Sequence, residues 1–251
     1  MAGLALLVLP LIGMLTRVHW STLPQDVTSP AALNALGLSV LTAACATVLC
    51  LLFGFPLAYV IARASSRVAA VLRAAVLIPL VLPPLVGGIA LLSLLGRSGL
   101  IGKPLFESSG FSLPYTTAGV VVAQAFVAMP FLIISLEGSL RTSGQGHEEV
   151  AASLGANRWR VLTRVTLPLV TPGLVAGTVL AFARAMGEFG ATALFAGNAQ
   201  GITRTMPLAI YTAYNGVGVS QDSALALSLL LLVCAIVIVF GLRSWREEAV
   251  R

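Results

Sequence analysis

The stretch EEVAASLGANRWRVLTRVTLP, from Glu148 to Pro168, decides how the rest of the chain is arranged, because it is a polar island between long apolar runs. It combines two acids, a run of small residues, a glycine, a basic tract and a terminating proline. A segment this polar cannot lie in hydrocarbon, where unpaired polar groups find no partner. The pattern therefore predicts a water-exposed element that docks a partner protein.

The composition around this island is that of a membrane protein. The 251 residues are 58% hydrophobic and only 10% charged, with a mean hydropathy of +0.98. Soluble domains carry roughly 25% charged residues, so the chain falls outside that class. Most of its cations are arginine, with 14 Arg and one Lys. In a chain that crosses a bilayer repeatedly, this excess favours charged cytoplasmic loops over a nucleic-acid surface. We expect an all-α integral membrane protein whose surroundings are lipid, with no nucleic-acid partner.

Six apolar stretches predict about six transmembrane helices, since one crossing needs about 20 apolar residues. They run from Gly3 to Thr16, Leu36 to Ala62, Ala74 to Gly96, Thr117 to Leu136, Leu169 to Ala196, and Ala224 to Leu242. The first resembles a signal peptide, but it lacks a basic leading segment and a clear small-residue cleavage site. A retained first helix is therefore the preferred interpretation.

The distribution of basic residues orients these helices. Ten lie in the two predicted loops and the tail on one side: Arg63, Arg67, Arg73, Arg141, Arg158, Arg160, Arg164, Arg243, Arg246 and Arg251. Four lie on the other side: Arg17, Arg97, Lys103 and Arg204. Cytoplasmic loops carry the excess of Lys and Arg, so both termini and the polar island are predicted to be cytoplasmic.

The chain shows no catalytic or cofactor motif. A nucleotide-binding loop of the G-x-x-x-x-G-K-[ST] kind needs a lysine, and the only one, Lys103, is followed by Pro104. The three cysteines and two histidines have no metal-ligand spacing. We expect no enzyme activity, no metal and no cofactor within this chain.

Prolines interrupt the predicted spans, most densely in LIPLVLPPLVGG, from Leu77 to Gly88. Proline removes a backbone donor and clashes with the preceding turn, so a kinked or broken helix is expected there. Packing around a fixed kink and bending during gating both remain open as its purpose.

One spacing within the island matches a known family motif. It consists of Glu149, Ala151, Gly155, Val165, Leu167 and Pro168. It resembles the "EAA" loop of permease subunits of bacterial ABC importers, in which E-A-A-x-x-x-G is followed nine residues later by I-x-L-P. Val150 stands in place of the first alanine and Val165 in place of the isoleucine.

This resemblance implies a coupling loop at about residues 141–168, in which two short helices seat in a cleft of a separate ATPase. The candidate coupling residues are Glu148, Glu149, Ala151, Ala152, Gly155, Arg158 and Pro168. The alanines permit close approach and the glycine allows a turn between the helices. Glu149 and Arg158 offer charges for ion pairs, and the proline marks the entry to the next span. A generic amphipathic surface helix is the alternative.

Longer runs resemble molybdate importer permeases, and less closely sulfate and tungstate permeases. They are Leu77 to Gly102, Ala118 to Arg141 and Leu180 to Tyr211. The resemblance implies a type I ABC importer permease fold, with residues 1–251 as a single transmembrane domain in the cytoplasmic membrane of a prokaryote. The implied partners are a second copy, two ATPase subunits that bind ATP and Mg, and an extracytoplasmic oxyanion-binding protein. A self-sufficient carrier or channel is the alternative from another class.

Arg184 and Glu188 are charged residues within a predicted span, where charges normally pair or face a cavity. Being four apart, they share one face of a helix. Two roles remain open at this point: lining or gating the anion route, and forming a structural ion pair.

Overall fold

The computed structural model describes residues 1–144, 146–216 and 221–249, with side chains of the last segment described from Asp222 to Ile238. Gln145 of the predicted coupling loop and Arg251 of the tail lie outside the described residues. The helices are α1 (Ala2–Thr16), α2 (Leu23–Val27), α3 (Pro30–Leu49), α4 (Phe55–Arg63), α5 (Ser66–Val81), α6 (Pro84–Leu95), α7 (Gly102–Ser109), α8 (Thr117–Ser143), α9 (Gly146–Ser153), α10 (Arg158–Val161), α11 (Leu167–Met186), α12 (Gly190–Phe195), α13 (Met206–Asn215) and α14 (Gln221–Ala249). The described part is helical without strands, which confirms the predicted all-α class.

Three continuous helices are long and apolar enough to cross a membrane within the described residues: Pro30–Arg63, Thr117–Ser143 and Arg158–Met186. The bent pair of α5 and α6 provides a fourth crossing if it counts as one span. Shorter apolar helices are Ala2–Thr16 and Asp222–Ile238. These six apolar segments correspond to the six stretches of the sequence.

Helix α8 is the central element, with α3, α4 and α11 packed around it. Small residues allow this close approach, as is usual between membrane helices. A Cβ at Gly177 of α11 would lie 3.0 Å from the Cβ of Ser135 on α8. The buried alanines at this centre are Ala43, Ala46, Ala125, Ala128, Ala181 and Ala185.

The predicted break in the third apolar stretch is confirmed. Helices α5 and α6 meet at an angle of 111°. Leu82 is extended, with ψ 134°, and Pro83 and Pro84 follow it. A residue before proline is biased away from helical conformation, and proline donates no backbone hydrogen bond, so two prolines in succession end α5 here.

The fifth stretch differs from the prediction. Helix α11 ends at Met186 rather than continuing to Ala196, and a separate short helix, α12, begins at Gly190. The prediction of one uninterrupted span was wrong because apolar composition alone does not register the break at Gly187. Glu188 consequently lies in the break between the two helices rather than within a span.

Two spans contain a π-helical turn, at Cys50–Gly54 and at Leu162–Thr166. Each turn is followed two residues later by a proline, Pro56 and Pro168. A proline ring clashes with the carbonyl four residues earlier, which in both cases lies inside the widened turn. Widening the backbone by one residue relieves this clash while the helix continues.

Candidate coupling loop and the polar groups between the spans

Most of the predicted coupling residues lie on two short helices, α9 and α10, joined by a turn at Gly155, whereas Pro168 lies in α11. Gly155 has φ +86°, a left-handed conformation that glycine adopts without strain. Its N–H donates to the carbonyl of Ala152 at 3.0 Å, and that of Ala156 donates to Ala151 at 3.0 Å. The side chain of Asn157 then accepts from the N–H of Arg160 at 2.8 Å and caps α10.

The exposed side of this loop carries large apolar residues, of which the sequence analysis noted only Val150, and that only as a departure from the motif. Val150, Leu154 and Trp159 are all exposed, and Leu154 is 82% exposed. Leu154 directly follows α9, and its N–H donates to the carbonyl of Val150 at 3.1 Å, so the two side chains lie on one face of the same helical turn. Bulky apolar residues in a segment assigned to water were the available signal. We call Val150, Leu154 and Trp159 the docking surface.

The other predicted coupling residues divide by their exposure. Glu149, Ala152, Arg158 and Pro168 are exposed, whereas Ala151 is half-buried. An exposed carboxylate and an exposed guanidinium stand beside the docking surface and are accessible to a partner. Their role in coupling stays a prediction.

Glu148 faces the body of its own chain. Its carboxylate pairs with the guanidinium of Arg63, the last residue of α4. The hydroxyl of Thr166 donates to the same carboxylate oxygen at 2.7 Å. Arg63 also lies over the ring of Tyr59, with its guanidinium carbon 5.0 Å from the ring centroid. The sequence analysis missed these partners, which are distant from Glu148 along the chain.

The more deeply buried carboxylate of Glu137, on α8, was missed altogether. Arg73 of α5 donates to Glu137 through Nε at 2.7 Å, and Arg141 donates one turn along α8 at 3.3 Å. Both carboxylates lie at the end of the bundle that carries the coupling loop. The available signal was Glu137 at a four-residue spacing from Arg141.

Arg184 and Glu188 form an ion pair, with an N–O distance of 2.7 Å. Glu188 is only 1% exposed, and its other carboxylate oxygen accepts the N–H of Ala191 at 2.8 Å. A negative charge at a helix N-terminus is favourable, so this carboxylate stabilises the start of α12. Next to it, the rings of Phe189 and Tyr211 pack with centroids 5.0 Å apart. Over the residues that the structure describes, no cluster of three or more His, Cys, Asp or Glu side chains suits a metal ion.

Comparison with known proteins places these features in a family. Residues 51–247 match the family described as "Binding-protein-dependent transport system inner membrane component". The chain is 53% identical over 240 residues to the molybdenum transport system permease protein ModB of Mycobacterium tuberculosis, covering 96% of this chain and 89% of the relative. It is 41% identical over 179 residues to ModB of Escherichia coli, covering 71% and 78%.

A more distant relative is named for another anion. The probable sulfate transport system permease protein cysT of Chlorokybus atmophyticus is 35% identical over 235 residues, covering 90% of this chain and 82% of the relative.

Solved structures show the same fold at low sequence identity. A bacterial alginate ABC transporter, crystallised with an alginate-bound periplasmic protein, matches with a TM-score of 0.70 and 20% identity, covering 95% of this chain and 88% of that chain. The MetNI methionine ABC transporter, in an inward-facing conformation, matches with a TM-score of 0.68 and 16% identity, covering 87% and 96%. The described helices therefore have the type I ABC importer permease fold.

Proposed function

The chain belongs to the family of binding-protein-dependent transport system inner membrane components, and we propose from this that it is the membrane-spanning permease of an ATP-driven molybdate importer. The observation that supports molybdate as the transported anion is the 53% identity to a molybdenum transport permease over 96% of the chain. In this proposal residues 1–251 form a single transmembrane domain in a prokaryotic cytoplasmic membrane.

The proposed assembly contains two copies of the chain, two ATPase subunits and an extracytoplasmic oxyanion-binding protein. The ATPase subunits bind ATP and Mg and supply the chemistry of hydrolysis, whereas this permease supplies the route and the coupling loop. The exposed apolar side chains of α9 and α10 support this assignment. Large apolar residues exposed to water are typical of a surface that a partner covers.

The docking surface is expected to seat in a cleft of the ATPase. Val150, Leu154 and Trp159 would contribute the apolar contacts, and Glu149 and Arg158 the polar rim. Gly155 holds the angle between the two helices. Movement of the ATPase dimer on ATP binding would then shift the loop and turn the permease from inward-facing to outward-facing.

Arg184 and Glu188 are proposed to hold the gate rather than to bind the anion. Their ion pair fixes the end of α11 to the start of α12, where the route-forming span breaks. An unpaired carboxylate would repel an oxyanion, and the pairing with Arg184 removes that repulsion. A permease conducts best when it binds its cargo weakly, so anion selectivity is assigned to the binding protein.

A docking test compares two leucines of equal exposure. Leu154 is 82% exposed on the docking surface and Leu100 is 81% exposed on the predicted outer side. Leu154→Glu is expected to weaken ATPase binding by about tenfold or more, as loss of a central interface residue does. Leu100→Glu is expected to retain the ATPase. Copurification of the tagged permease with its ATPase measures both, and equal retention would contradict the proposed docking surface.

The anion is tested by competition in vesicles that contain the permease, the ATPase and the binding protein. Excess unlabelled molybdate is expected to abolish ATP-dependent uptake of labelled molybdate, whereas sulfate at the same concentration leaves it unchanged. Competition by sulfate or tungstate would favour the related permeases instead, and the sulfate case has support in the cysT relative. Uptake by the permease alone, without any ATPase, would indicate a self-sufficient carrier.

A further inference from the structure

Three separate elements meet at the carboxylate of Glu148. Glu148 belongs to α9 of the coupling loop, Arg63 ends α4, and Thr166 is the last residue of the π-helical turn that leads into α11. Both the guanidinium of Arg63 and the hydroxyl of Thr166 reach the same oxygen, Oε1. One carboxylate therefore connects the loop to the ends of two spans.

This junction is largely withdrawn from water. Thr166 is 2% exposed, and the side chains of Glu148 and Arg63 are largely buried. The ring of Tyr59 supports the guanidinium from within α4. A charge-assisted contact that is removed from water holds more strongly than an exposed ion pair, and breaking it leaves a largely buried charge unpaired.

The two anchored spans continue into the core of the molecule. Arg63 ends the continuous helix Pro30–Arg63, and Thr166 lies within the continuous helix Arg158–Met186. Both helices pack against α8. A displacement of α9 would therefore act through this carboxylate on two of the helices that form the centre of the bundle, in addition to the backbone that joins α10 to α11.

We propose that Glu148 is a positioning residue that transmits movement of the coupling loop to the spans, through Arg63 and Thr166, and does not itself contact the ATPase. The neighbouring Glu149 is exposed and available to the partner. The two adjacent acids therefore have different roles: Glu149 faces the ATPase, and Glu148 connects the loop to the spans. This inference rests on the proposed function for its physiological meaning. The junction itself follows from the contacts of this chain alone.

Thr166 gives the sharper test, because a residue this buried cannot owe its effect to a lost partner contact. Thr166→Val keeps the shape and removes the hydroxyl, Thr166→Ser restores a hydroxyl, and Thr163→Val is the matched control. Thr163 lies in the same turn, and its hydroxyl donates to the backbone carbonyl of Trp159. All three variants are reconstituted as the full complex, and ATP hydrolysis and anion uptake are measured together.

Thr166→Val is expected to lower the anion transported per ATP hydrolysed by about fivefold, at the lower end of typical coupling between sites. Hydrolysis and copurification of the ATPase should be retained. Thr166→Ser and Thr163→Val are expected to transport as the wild type does. A wild-type ratio in Thr166→Val would overturn the inference, and so would an equal effect of Thr163→Val.

Glu148→Gln extends the test to the charge, with an expected loss of roughly tenfold in the same ratio. A loss of ATPase copurification in this variant would show that Glu148 contacts the partner and would overturn the inference.

A second readout needs no transport. Hydrogen exchange of the purified permease should become faster in α9 and at the end of α4 in Glu148→Gln than in the wild type. Unchanged exchange in both segments would reject the junction. Absence of ATP-driven uptake in the wild type would instead reject the proposed function and leave the exchange result to decide the junction.

Discussion

The buried carboxylate of Glu188 joins α11 to α12. Replacing it tests whether this charge stabilises the fold. Its two oxygens contact Arg184 and the N–H of Ala191. A hydrogen bond to a charged group, such as the one that Ala191 donates here, contributes about 1.5–3 kcal/mol. We expect Glu188→Gln to lower the free energy of unfolding by about 2 kcal/mol.

The control for this change is an exposed pair with the same spacing. Glu107 lies 3.9 Å from Lys103, with both side chains more than half exposed, and such pairs contribute little. Glu107→Gln should unfold as the wild type does in thermal melts of the purified protein. Wild-type stability of Glu188→Gln combined with lost uptake would assign the carboxylate a role in transport, at the gate or on the anion route, rather than in stability.

Gly155 isolates the effect of backbone conformation at the turn between α9 and α10. A Cβ at this position would meet no atom within 4 Å, so only the positive φ disfavours another residue. We expect Gly155→Val to lower ATP-driven uptake about tenfold, since a left-handed conformation costs roughly 1–2 kcal/mol for ordinary residues. Gly155→Asn should retain most of the uptake because asparagine tolerates this region. Equal activity of the two variants would show that the turn is not needed.

At the level of elements, α6 and α12 pack so closely that no side chain fits at their crossing. A Cβ at Gly88 would lie 2.8 Å from the Cβ of Leu194 and 3.0 Å from the carbonyl oxygen of Ala191. Gly88→Ala must push the two short helices apart. The expected destabilisation is about 1–3 kcal/mol, the usual cost of overpacking.

The matched variant is Gly37→Ala in the middle of α3, where a Cβ meets nothing within 4 Å. It should be neutral or stabilising, because alanine favours helix more than glycine does. Melting temperatures of the two purified variants measure the difference. A similar change in both would mean that helix propensity, rather than the crossing, determines the effect.

The sequence predicted those element boundaries that depend on local chemistry and missed those that depend on contacts across the fold. Pro83 and Pro84 indicate the break between α5 and α6 directly, since proline prevents a helical hydrogen bond. The end of α11 was missed because Glu188 stabilises the start of α12 in the folded chain. That contact cannot be predicted from the apolar composition of the segment.

The candidate site shows the same division. The turn at Gly155 follows from a local spacing in the sequence. The junction at Glu148 does not, because Arg63 is 85 residues away from it along the chain. Leu154 was missed because a single apolar side chain in a polar loop is a weak signal in the sequence.

For the whole molecule, the count of basic residues gives a topology that cysteine labelling can check. His147→Cys lies in the coupling loop and Ser108→Cys in α7, the short helix between α6 and α8, both in a background without the native cysteines. A membrane-impermeant maleimide should label Ser108→Cys in intact cells and His147→Cys only after the cells are opened. The reverse pattern would invert the molecule and place the coupling loop outside.

The π-helical turn at Leu162–Thr166 has a consequence for how this protein can vary in length. One extra residue in a helix rotates everything beyond it by about 100°, since a regular turn holds 3.6 residues. The turn therefore sets the angular phase between the face that α10 presents to water and the face that α11 presents to α8. Deletion of one residue here would convert the π-helical turn to a regular α-helical one. The loop would then rotate about the axis of the span, and Glu148 would move away from Arg63.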